Sequence, residues 1–193
     1  MTNPTTPKLV QYIKDKFFPS PKLLVFEEIG RTITMPAKFR LLSQKEINRI
    51  TKTSKKPSDD AELNDNSNCR RLFMAILGKR NLIQGSSSND NSNTIADLER
   101  ITLQEKNTLI SLFEKKYATF SKVTIESNIS NEKIDTLDFN RVEVFARTPT
   151  RVISKIYIYH ALHNGRDIAI GISFNSEEAA KEIFSCLRSS KFK

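Results

Sequence analysis

His160 and His163 are the only histidines in the 193-residue chain, and Cys69 and Cys186 the only cysteines, so any His- or Cys-based chemistry has to start from these four side chains. The two histidines are three residues apart in a stretch that reads as a strand, a spacing that puts them on opposite faces. No neighbouring Cys or carboxylate completes a tetrahedral metal site around them. Two cysteines make neither a disulfide framework nor a four-ligand zinc pattern. Cys186 reads as a small core or boundary residue of the last helix and Cys69 as the opening of a helix after a linker, neither as a reactive thiol. No Gly-rich phosphate loop, Gly-x-Ser-x-Gly elbow or acidic metal cluster occurs, and five glycines leave little scope for a cofactor cradle. The chain therefore reads as non-enzymatic, with no cofactor and no metal expected. An enzyme acting on a phosphorylated substrate is the remaining chemical alternative.

Charge is the stronger signal. The formal net charge is +9, and residues 1–56 hold twelve Lys and Arg against four Asp and Glu. Lys38, Arg40, Lys45, Arg49, Lys52, Lys55 and Lys56 face only Glu46 within nineteen residues. Such a field attracts phosphate, on nucleic acid or on an anionic lipid surface. Lys45, Arg49 and Lys52 share one helical surface by their spacing of four and three. The same spacing also suits an ordinary solvated helix flank. Phe39, Tyr157 and Tyr159 are the aromatic residues available for stacking on bases.

The elements that position these residues follow from periodicity. Pro7 opens a short amphipathic helix that carries Leu9, Val10, Ile13 and Phe17. Leu23–Phe26 and Arg31–Met35 flank Gly30 as a hairpin. Ser43-Gln-Lys-Glu46 has capping-box spacing, with Ile47 and Ile50 inward. Residues 57–68 and 85–93 are polar and read as flexible linkers; both contain the pentapeptide Asn-Asp-Asn-Ser-Asn, at 64–68 and 89–93. Between them, 69–84 reads as a helix with Leu72, Phe73, Ile76 and Leu77 inward. A further helix begins near Thr94, restarts at the second capping box Thr102-Leu-Gln-Glu105, and carries Leu109, Ile110, Phe113 and Tyr117.

The most consistent stretch is 139–187. Val142, Val144 and Ala146 alternate with polar residues, and 152–162 is rich in β-branched and aromatic side chains. Asn164-Gly165 supplies a two-residue turn, and Ile168, Ile170, Ile172 and Phe174 share one face of the return strand. Ala169, Gly171 and Ser173 leave the other face bare. Asn175 or Ser176 caps a last helix with Ile183, Phe184 and Leu187 inward. A strand at 120–126 precedes the sheet, and 128–135 reads as a polar connection.

The expected fold is α+β, with a small antiparallel C-terminal meander packed against several helices. The expected organisation is a basic region at 1–56, linkers at 57–68 and 85–93, a helix at 69–84, and a helix, sheet and C-terminal helix at 94–193. The first and last of these share one core.

Ile168-Ala-Ile-Gly-Ile-Ser-Phe174 followed by Asn-Ser-Glu-Glu-Ala-Ala180 resembles the last strand and capped helix of pleckstrin-homology and EVH1 modules. That resemblance implies a protein-interaction module with a peptide groove between sheet and C-terminal helix. Size, charge asymmetry and layout are also similar to those of small basic viral matrix or nucleoprotein-associated proteins, an analogy of form. The leading expectation is thus a basic structural or accessory protein that binds nucleic acid, nucleoprotein or an anionic membrane surface through residues 38–56. A protein partner at the C-terminal sheet and helix is the alternative. With no apolar run of transmembrane length and no secretory leader, an intracellular, cytoplasmic or nuclear location is expected.

Overall fold

The structure is a computed structural model that describes residues 20–54, 69–78, 81–88 and 93–192. The expected N-terminal helix, the linker at 57–68, Lys55 and Lys56 lie outside the described residues. Those residues form ten strands and three α-helices in two antiparallel sheets. The strands are β1 (Lys22–Phe26), β2 (Arg31–Met35), β3 (Arg40–Leu41), β4 (Cys69–Leu77), β5 (Asn81–Ser88), β6 (Thr124–Ile134), β7 (Leu137–Arg147), β8 (Val152–His163), β9 (Arg166–Phe174) and β10 (Lys191–Phe192). The helices are α1 (Gln44–Ser54), α2 (Ile95–Tyr117) and α3 (Glu177–Arg188). The larger sheet runs β3-β4-β5-β9-β8-β7-β6, and the smaller runs β1-β2-β10.

This overturns the expected small sheet packed with several helices. The fold is mostly β, and its seven-stranded sheet takes in three segments whose patterns predict a helix, a linker and a polar connection. Residues 69–84 are not a helix but the β4–β5 hairpin. The run Leu72–Leu77 is apolar on both faces because Phe73 and Ala75 enter one core and Met74 another. A continuous apolar run does not distinguish strand from helix, and the register shift between Arg71 and Phe73 hides the alternation further. The expected linker at 85–93 is likewise strand up to Ser88, and Gly85 lies opposite Ile170 of β9. Gly85 is required there: a Cβ would sit 2.3 Å from Phe73 Cε1. The polar connection at 128–135 is the main part of β6. Its composition is polar because it is an edge strand with largely exposed side chains.

Each face of the large sheet carries its own layer. Ile83, Ile168, Ile170, Ile172, Tyr157, Tyr159 and Phe139 line one face, under α3 and the small sheet, which contributes Ile29, Ile33, Met35 and Phe192. Burying an aliphatic side chain of this size contributes roughly 1.5–3 kcal/mol. Val142, Val144 and Ala146 line the other face against Leu109 and Phe113 of α2. On that same face α1 buries Ile47 with Met74. The bare strip of β9 on this side is met by a side chain rather than by a helix, since Gln84 lies against Gly171.

Helix α2 is continuous over 23 residues. Its N-terminus is fixed by Thr94 and Asp97, each side chain accepting the other's backbone N–H. Thr102 does not restart it. Its hydroxyl donates to the Leu98 carbonyl at 2.7 Å, inside the helix. The Asn164-Gly165 turn has positive φ at both residues (51° and 74°), as a type I′ hairpin demands.

Three carboxylates lie below their ordinary range. Glu46, held at about 2, accepts from the Ser43 backbone N–H and then from Arg40. Thr94 lowers Asp97, and the Phe192 backbone N–H followed by Lys191 lowers Asp135. Their stabilising contribution is complete above the unfolded carboxylate range and falls away as pH drops from about 4.5 toward 2. An acid titration at fixed denaturant is expected to lose stability in that window, less steeply in Glu46→Gln. An identical slope in the variant excludes Glu46 as a contributor.

Candidate functional site

Helix α3 starts where Ser176 Oγ accepts the Ala179 N–H at 3.2 Å, with Glu177 and Glu178 at the positive end of the helix dipole. Ala179, Ile183, Cys186 and Leu187 are buried against the large sheet. Burial pushes the Cys186 thiol up to about 12, so it is not a nucleophile at neutral pH.

The opposite side of the helix carries Glu177, Ala180, Lys181, Phe184, Ser185 and Arg188. Together with Ser189 they line an open groove of about 720 Å³. Of the residues that line it, only Phe184 is aromatic. Phe184 is half-buried and meets Tyr157 edge-on at 5.2 Å and Phe174 at 5.8 Å, while Tyr157 stacks on Phe174 at 5.8 Å. Its rim is charged, with Lys181 and Arg188 exposed and the Arg188 guanidinium 5.8 Å from the Phe184 ring.

The sheet near this groove carries a satisfied polar network. Glu132 accepts from Arg141 (2.9 Å), Tyr159 (3.1 Å) and Arg188 (3.4 Å). Burial, followed by the Glu132 charge, pushes the Tyr159 phenol well up, so it stays a donor. Lys155 pairs with Glu143 and lies 5.1 Å from the Tyr157 ring. The network contains no nucleophile–base pair.

The basic residues singled out by spacing are not assembled into one patch. Lys38 Nζ is 2.9 Å from Glu182 Oε1 of α3, on the sheet face opposite the one that carries α1. Arg40 pairs with Glu46 at 2.6 Å. Lys45 and Arg49 are exposed on α1, and Lys52 lies in its last turns. The aromatic residues proposed for base stacking are unavailable: Phe39, Tyr157 and Tyr159 are all buried in the core.

His160 has a carboxylate neighbour after all, because the hairpin returns Asp167 beside it (Nδ1 to Oδ1, 3.2 Å). Its Nε2 is enclosed without a partner, and the residue is 3% exposed. Asn140, opposite it on β7, donates to Thr102 of α2, so this dyad lies under the helix and out of reach of a substrate. His163 packs edge-on against Phe192. No group of three or more potential metal ligands occurs among the described residues. Among them, too, no helix is long and apolar enough to cross a membrane.

The sequence pattern reveals the groove only in part. Phe184 was placed on the inner stripe of α3 by its helical phase, and only the packing of Tyr157 and Phe174 shows that it sits at the groove's edge. No family model matches the sequence, and no curated protein matches it. The likeness is to solved structures. One is the solution structure of cyanobacterial PsbP (CyanoP) from Synechocystis sp. PCC 6803, with a TM-score of 0.53 and 11% identity over 90% of this chain and 93% of that one. Another is a crystal structure from Bacteroides thetaiotaomicron VPI-5482, with a TM-score of 0.50 and 11% identity over 90% of this chain. The match spans 49% of that second protein. The pleckstrin-homology resemblance extends to β9 and α3 alone, and as a whole the chain is similar in fold to cyanobacterial PsbP.

Proposed function

We propose that the protein is a non-enzymatic binding protein whose working surface is the groove along α3, and that its partner is an acidic protein segment carrying an apolar side chain. The observation that carries this reading is the half-buried Phe184, backed by Tyr157 and Phe174 and flanked by exposed Lys181 and by Arg188, which also reaches Glu132 at 3.4 Å. An apolar anchor beside Phe184 supplies desolvation, and carboxylates beside Lys181 and Arg188 supply orientation and encounter rate. The net charge of +9 favours the same sign of partner at long range.

The test is chemical-shift mapping with a Glu- and Asp-rich decapeptide that contains one leucine. Shifts are expected in α3 and at Tyr157 and Phe174, with affinity reduced about tenfold in Lys181→Glu and in Phe184→Ser, on the scale of one lost anchor. Absence of binding, or shifts confined to residues 38–54, overturns the assignment.

A second reading, binding of nucleic acid or an anionic surface through α1, is favoured by one observation: Lys45 and Arg49 are both exposed and one turn apart. Duplex binding that weakens steeply with salt, and loses slope in Lys45→Ala/Arg49→Ala, is its signature.

A further inference from the structure

β6 is an 11-residue strand at the end of the large sheet and, among the described residues, is hydrogen-bonded along one edge only, to β7. The opposite end of that sheet is closed by the two-residue β3. A long free edge is a template for another strand, and soluble proteins usually shorten, cover or charge it. Here the sequence along the edge is Glu126-Ser127-Asn128-Ile129-Ser130-Asn131-Glu132. Around Ile129 it reads nearly alike in both directions, with one Ser and one Asn on each side, then a Glu at each end. Ile129 is also the midpoint of β6 and is 39% exposed.

We propose that β6 pairs antiparallel with β6 of a second copy of this chain, around a two-fold axis at Ile129. In that register Ile129 lies opposite the partner's Ile129, Asn128 opposite the partner's Ser130, and Ser127 opposite the partner's Asn131. Every Ser–Asn pair sets a hydroxyl against an amide, which are complementary donors and acceptors. A two-fold contact requires this self-complementarity, and an unrelated strand does not.

The glutamates look at first like guards against such pairing, because Glu126 falls opposite the partner's Glu132. Both are already neutralised within their own chain. Glu126 is 3.4 Å from Arg147, and Glu132 is 2.9 Å from Arg141 and 3.4 Å from Arg188. That leaves residues 127–131 with no charged side chain of their own, centred on the exposed Ile129, with Arg141 Nε donating to Ser130 Oγ beside it. Pairing of a single edge falls below the roughly 1,000 Å² of a standard interface, so the dimer is weak and concentration-dependent.

The experiment is sedimentation equilibrium of the full chain from about 10 μM to about 1 mM, a range that brackets weak association. The average mass is expected to rise toward that of a dimer. Ile129→Lys and Ile129→Glu each set like charges on the two-fold and are expected to weaken self-association at least about tenfold. An equimolar mixture of the two is expected to recover it, because Lys then faces Glu. Thermal unfolding confirms that both variants are folded, the site being an exposed edge position. A wild-type protein that stays monomeric throughout, variants that associate as the wild type does, or a mixture that fails to recover overturns the proposal. Lys181→Glu, a groove variant, is expected to associate like the wild type, so this result stands or falls separately from the α3 assignment.

Discussion

Arg31→Met is expected to be at least as stable as the wild type, and more stable by about 1–3 kcal/mol, measured by denaturant unfolding at pH 7. Arg31 has no exposed surface and lies between two rings, 5.6 Å from the Phe73 centroid and 5.5 Å from that of Phe192. Its Nη2 donates to Ser190 Oγ at 3.1 Å, while Nε and Nη1 have no acceptor. Burial lowers the guanidinium from 12.5 to about 10, a penalty on the charged form of roughly 3 kcal/mol. The unfolded chain binds that proton more readily, so the penalty applies in full at neutral pH and lifts only as pH passes upward through about 10. The two cation–π contacts return part of it. A methionine fills the slot between the rings and removes the two unpaired N–H donors, at the cost of the hydrogen bond to the buried Ser190 hydroxyl. Arg31→Ala also removes the charge but leaves a cavity, and is expected to fall below Arg31→Met by about 2–4 kcal/mol. A strong destabilisation in Arg31→Met would mean that Nε and Nη1 are satisfied in solution, by enclosed water or an anion.

The C-terminal half was legible because its signals are local. Asn164-Gly165, the alternation of Ile168, Ile170 and Ile172, and Ser176 before Ala179 each need only a few neighbouring residues, and each appears as the corresponding turn, face or cap. The missed strands depend on distant residues. β4 is buried on both faces, so its period of two is masked; β5 uses Gly85 because Phe73 needs the space; β6 is polar because it is an edge strand with largely exposed side chains. All three acquire meaning only from partners in other parts of the chain. Arg31 escaped notice for the same reason, since nothing in Gly-Arg-Thr signals a cation enclosed by Phe73 and Phe192.

The candidate site divides along the same line. Spacing placed Lys45 and Arg49 on one exposed helical surface, where they are. It also grouped Lys38 and Arg40 with them, and tertiary pairing to Glu182 and Glu46 removes both from a common field. Charge density along a sequence therefore overstates charge density on a surface when carboxylates from other elements fold in. The groove along α3 went the other way. Its one aromatic lining residue, Phe184, is backed by Tyr157 and Phe174 from two strands, and only the fold brings the three together.

Ile170→Ala and Gly171→Ala, one residue apart on β9, are expected to differ several-fold in cost. Ile170 has no exposed surface and lies opposite Gly85 on one side and Tyr159 on the other, at the centre of the larger core. Gly85 offers no side chain to collapse into the space, so truncation leaves a cavity and costs about 2–5 kcal/mol. Gly171 points to the opposite face. There a Cβ meets Gln84 Nε2 at 3.1 Å, the far end of a flexible side chain that can turn aside. The lower backbone entropy of alanine offsets part of that contact, so the net change is expected to stay within about 1 kcal/mol. Equilibrium unfolding of the two variants checks the pair. Equal costs would mean that β9 is not placed between a dense core on one face and a side-chain-covered strip on the other, and the seven-stranded order through β5, β9 and β8 would be wrong.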